Sequence, residues 1–72
     1  MNKETAIEII NLMLECGDKL NTSVALVESN CSESYFVNYR RVVGHLMGGM
    51  LLNIMNPIFK EYPELEPEQL KR

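Results

Sequence analysis

From Ala6 onward, apolar residues return at alternating spacings of four and three: Ala6, Ile10, Met13, Gly17, Leu20, Val24 and Val27, with Ile7, Ile9, Leu14 and Cys16 beside them. Glu4, Thr5, Glu8, Asn11, Glu15, Asp18, Lys19 and Thr22 fall on the other side. This period predicts an amphipathic helix over about 3–29. Asn2 is placed to cap it and Glu4 to favour its positive end, while Glu15 and Lys19 have the spacing of an i,i+4 ion pair.

The run Ser29-Asn30-Cys31-Ser32 breaks the pattern with side chains that compete for backbone hydrogen bonds. Ser32 before Glu33 reads as a new N-cap. A second helix is expected over about 33–56, with an end or a sharp kink at Pro57. So short a connection joins antiparallel neighbours, and the expected unit is an all-α helical hairpin.

Phe36, Tyr39, Val43, Leu46 and Met50, continued by Asn53, form the face expected to meet the first helix. A second seam, Val37, Arg41, Gly44, Gly48, Leu51 and Met55, repeats at four and three on the other side. From Val42 to Met55 the helix is apolar almost all round, so it needs cover on both faces, and one hairpin partner covers one. The second seam is therefore the expected interface of a homodimer, two hairpins forming a four-helix bundle. Gly44 and Gly48 fit that reading, because a helical glycine costs ~1 kcal/mol relative to alanine and needs a packing reason.

Beyond Pro57 lie Pro63 and Pro67, which leave room for a short turn or helix and then an extended tail. Ile58, Phe59, Tyr62, Leu65 and Leu70 are expected to fold over the open end of the bundle. Tyr62, Leu65 and Leu70 also make a candidate surface for a protein partner, and 66–72 a mobile tail.

Length sharpens the need for a partner. At 72 residues the chain is a single domain, 1–72, of a size at which one core supplies only about 3–5 kcal/mol. Nearly half the residues are apolar and tryptophan is absent, which excludes disorder and leaves a core of Leu, Ile, Val and Met. The net charge of −3 argues against a nucleic-acid partner. The first thirty residues are acidic, whereas 31–56 carry Arg40 and Arg41 against Glu33 alone.

The candidate chemistry is sparse. Cys16 and Cys31 stand ~22 Å apart along a helix and cannot bridge within one molecule. With no signal sequence, this points to a reducing, cytoplasmic setting, and the sequons at Asn21 and Asn30 read as chance matches. His45 is the sole histidine, and its separation from the cysteines matches no compact zinc spacing. Neither a cofactor, a metal nor a catalytic group is expected. A membrane span over Val42–Phe59, with its Gly44-x-x-x-Gly48 spacing, is outweighed by His45, Asn53, Asn56 and a proline within it. The methionines Met13, Met47, Met50 and Met55 read as core filler before they read as an adaptable groove.

Leu20-Asn-Thr-Ser-Val-Ala-Leu-Val-Glu28, Tyr39-Arg-Arg-Val-Val-Gly-His-Leu-Met47 and Asn56-Pro-Ile-Phe-Lys-Glu-Tyr-Pro63 together resemble a family of small, uncharacterised bacterial helical-hairpin proteins. The likeness implies a bacterial cytoplasmic origin and no activity, cofactor or binding residue. The function expected is that of a homodimeric protein-interaction module: an adaptor, regulator or inhibitor. The alternatives are a small-molecule or metal-binding bundle using His45 and Asn53, and a membrane-associated helical protein.

Overall fold

The computed structural model describes residues 1–67. Leu70, and with it most of the expected mobile tail over 66–72, lies outside the described residues. Helix α1 spans Lys3–Asn30 and helix α2 spans Glu33–Met50; a π-helical turn, Leu51–Met55, then leads directly into α3, Asn56–Glu61. A 3₁₀ turn, Pro63–Leu65, follows. The protein is all-α, two antiparallel helices packed as a hairpin.

Both long helices start where the sequence places their caps. Asn2 is extended, at φ −82° and ψ 164°, and its Oδ1 accepts from the Thr5 N–H at 2.8 Å. Ser32 does the same for the Tyr35 N–H at 3.3 Å. Each satisfies one of the donors that an opening turn leaves free. Only Cys31 and Ser32, both extended, separate the helices.

Pro57 does not stop the second helix, which runs on to Glu61, and Asn56 keeps helical angles of φ −60° and ψ −41° despite preceding it. The π turn explains how. The Asn56 N–H donates to the Leu51 carbonyl, five residues back, and this wider turn makes room for a ring that otherwise clashes with the preceding turn. It also re-aims the side chains. Val43, Met47, Leu51, Met55 and Phe59 recur at intervals of four, and at 3.6 residues per turn such a row slides ~40° round the helix at each step. A turn that takes up more residues cancels part of that drift, and Met55, Ile58 and Phe59 all end buried. The helix stops at Tyr62, whose φ −132° and ψ 75° lie outside the helical region that Pro63 disfavours for the residue before it.

The core lies at one end. Ala6 and Ile10 of α1 meet Met55, Ile58 and Phe59, with Ile9, Met13, Leu51, Tyr62 and Leu65 packed around them. The chain termini of this region are tied together: the Tyr62 hydroxyl donates to the Met1 carbonyl at 2.7 Å, and Lys3 Nζ lies 3.0 Å from Glu64 Oε2. Further along, Met47 Cε approaches Gly17, and the Tyr39 hydroxyl donates to Ser23 Oγ at 2.9 Å. Val43 is the one buried side chain outside the end cluster among the described residues.

The α1 stripe meets α2 as its spacing implies: Met13, Gly17, Leu20, Val24 and Val27 are half-buried behind Ala6 and Ile10. The α2 stripe differs in its second half. Leu46, 54% exposed, and Asn53, also exposed, turn away from α1, and Met47 and Leu51 take the inner positions because the row runs at intervals of four. Neither expected use of surface charge is made. Glu15 and Lys19 form no ion pair, nor do Arg40 and Arg41 reach the acidic helix; the ion pairs among the described residues are Lys3–Glu64 and the Met1 amine with Glu61. Arg40 lies 5.4 Å from the Phe36 ring centroid, and Arg41 donates to Asn38 at 2.7 Å.

Candidate interaction surface

The hairpin measures 44 × 19 × 19 Å with a radius of gyration of 14.4 Å, against ~11 Å for a compact chain of this length. Its accessible surface is 5459 Å², whereas the scaling for folded monomers places a chain of this mass near ~4,600 Å². The excess is roughly what one partner, ~800 Å², contributes to a standard protein interface. Large apolar side chains lie on this surface: Leu12, Leu14, Leu26, Val37, Val42, Leu46 and Leu52 are all exposed, Leu52 by 64%.

The six seam residues of the second helix divide into two groups. Val37, Arg41 and Gly44 are exposed and Gly48 half-buried; a Cβ added at Gly44 or Gly48 would meet nothing within 4 Å. Leu51 and Met55 instead pack into the hairpin's own core, Met55 with 5% exposure, because the π turn rotates this stretch inward. Tyr62 and Leu65, read as a surface for a partner, are half-buried against the same core.

Beside the glycines, the two helices leave an open apolar groove of about 350 Å³. Met13, Leu14, Gly17, Asp18 and Asn21 line it from α1, and Met47, Gly48, Met50, Leu51 and Met55 from the second helix. It exists because Gly17 and Gly48 present no side chain across the joint and methionines bridge the remaining gap. The sequence pattern contained the signal, glycines and methionines sharing a level, but core filling was the simpler expectation.

The chemistry-bearing residues are not gathered. Cys16 and Cys31 are free and exposed, His45 and Asn53 both face solvent, and among the described residues no three His, Cys, Asp or Glu side chains converge. The continuous helix Glu33–Glu61 is long and apolar enough to cross a membrane by length and composition, with mean hydropathy 1.4 over an 18-residue window of which 22% is buried. No family model, curated protein or solved structure matches the chain, so the resemblance to bacterial helical-hairpin proteins assigns no family.

Proposed function

We propose that this chain works as a small homodimeric helical module that binds another protein and catalyses no reaction itself. The observation that carries the reading is the open ground at Gly44 and Gly48. Two glycines inside a helix cost ~1 kcal/mol each, and among the described residues a Cβ added at either would meet nothing within 4 Å. A second chain lying against them gives the reason for their presence, and the surplus apolar surface gives that chain something to bury. An adaptor, regulator or inhibitor needs no more than such a bundle with an exposed rim.

The sign of one substitution tests this. If the flank faces water, Gly44→Ala and Gly48→Ala each stabilise the fold by about 0.5–1 kcal/mol through helix propensity. If a helix packs closely there, each methyl costs stability and the pair Gly44→Leu/Gly48→Leu breaks the assembly. Light scattering coupled to size exclusion at micromolar concentration reads the mass directly. A monomeric wild-type protein, stabilised by both alanines, would defeat the proposal.

A second reading keeps one specific observation in its favour, the apolar length of Glu33–Glu61. In that case the exposed face of the helix meets lipid instead of a second chain. Co-flotation with phosphatidylcholine vesicles, absent for a soluble dimer, separates the two.

A further inference from the structure

Building on the homodimer reading, we infer that α1 of one copy lies against the second helix of the other across the groove flank, with Leu14 seated over Gly48 and Asp18 beside Arg41. The levels within the hairpin set the register. Gly17 stands opposite Met47 and Ser23 opposite Tyr39, so antiparallel residues at one height have numbers adding to the low sixties. A two-fold axis parallel to the helices preserves heights. It therefore brings Leu14, an exposed apolar side chain on the groove's rim, level with the partner's hollow at Gly48, where a Cβ would meet nothing.

Asp18, also on the rim, then stands level with the partner copy's Gly44 and three residues from the level of its Arg41, a distance of ~4.5 Å along the axis that an arginine side chain spans. Arg41 shares its seam with Gly44 and Gly48 by the four-three spacing, and among the described residues neither Asp18 nor Arg41 has an ion-pair partner in the hairpin. The alternative two-fold axis, perpendicular to the helices, sets like helices together. It would place the acidic α1, with Glu4, Glu8, Glu15, Asp18 and Glu28 against Lys3 and Lys19, on its own copy, and Arg40 and Arg41 on theirs. Like-charge juxtaposition disfavours that arrangement. The occupant of the groove flank is thus a second copy of this chain, joined through unlike helices, and the two grooves close on each other at the bundle's centre.

Charge exchange tests the pairing. Asp18→Arg alone and Arg41→Asp alone each place two like-charge contacts in a homodimer, and each is expected to weaken it by about tenfold or more at low salt. Mixed in equal amounts, the two variants form two Arg–Asp contacts and return to dimer at near wild-type affinity. Raising the salt to 1 M, where the screening length falls to ~3 Å, narrows the differences. A mixture that stays monomeric while both variants remain helical by circular dichroism overturns the pairing, as do single variants that dimerise like wild type. Should the charged variants lose helicity, the size exchange decides: Gly48→Leu breaks the dimer and Leu14→Ala in the same chain restores it, and failure of the rescue overturns the pairing. A wild-type protein that is monomeric in buffer and floats with vesicles defeats the homodimer reading itself, a result distinct from a dimer indifferent to these exchanges.

Discussion

The two ends of the hairpin are built to different standards. At the closed end, Ala6 and Ile10 meet Met55, Ile58 and Phe59 under a cover of Tyr62 and Leu65, and polar ties hold Met1 to Tyr62 and Lys3 to Glu64 of the 3₁₀ turn. At the connecting end, from Leu20 to Tyr39, no side chain is buried, and the helices touch through half-buried residues and one hydroxyl pair. Three segments wrap the first region, whereas two bare helices make the second. Two helices side by side cannot enclose a core, which is why the chain's cohesion is concentrated where a third segment returns.

The sharpest way to break this comparison is to empty each region in turn. Phe59→Ala is expected to cost about 3–5 kcal/mol, as much as a domain of this size has, and so to abolish the cooperative transition in urea followed by circular dichroism. Val43→Ala, which removes the buried side chain nearest the open half, is expected to cost only about 2 kcal/mol. Equal losses would mean that the two halves share one core.

Next in size come the two tyrosine hydroxyls. Tyr39→Phe removes the partly buried hydrogen bond to Ser23, at an expected cost of about 1 kcal/mol. Tyr62→Phe removes the bond to the Met1 carbonyl, which is exposed, and is expected to cost less because water replaces the partner. The same denaturation measurement orders the pair.

The smallest effect is the acid response of the tie at Glu64. Its own backbone N–H, and then Lys3 beside it, hold this carboxyl below the usual carboxylate range. A folded-state pKa below the unfolded one gives a contribution present above the unfolded value and lost as pH falls through the folded one. Because Glu64 is exposed, that contribution is slight. Titration followed by carboxyl NMR is expected to show Glu64 deprotonating at lower pH than in an otherwise identical Lys3→Ala variant. Identical midpoints would remove Lys3 from the tie.

Periodicity revealed α1 almost residue by residue, because an isolated seam on a regular helix has one solution. Caps at Asn2 and Ser32 were legible for the same reason: their chemistry is local. The second helix was harder. Phe36, Tyr39 and Val43 obey the ordinary period, but Leu46 and Met47 compete for the next inner position, and only the row Val43, Met47, Leu51, Met55, Phe59 favours Met47. An interval of four held through five positions is the mark of a widened turn, and Pro57 behind it drew attention to itself as a stop. The seam suffered accordingly: Val37, Arg41, Gly44 and Gly48 remain on an outer flank, whereas Leu51 and Met55 were drawn into the core. Tyr62 and Leu65 fold over the end of the bundle as their apolar character implies, but a chain rich in proline carries no period from which to judge how much of each stays free for a partner.

The π turn also makes the far end of the molecule sensitive to counting. Inserting one more residue between Leu51 and Met55, where the turn is already widened, would swing everything downstream by ~100°, carrying Ile58 and Phe59 away from Ala6 without altering a single contact-making side chain. Deleting one, by contrast, would let the turn close as an ordinary one with little change of direction. A substitution in the same stretch leaves the count intact. Length, at this point in the chain, is as much a determinant of the core as composition.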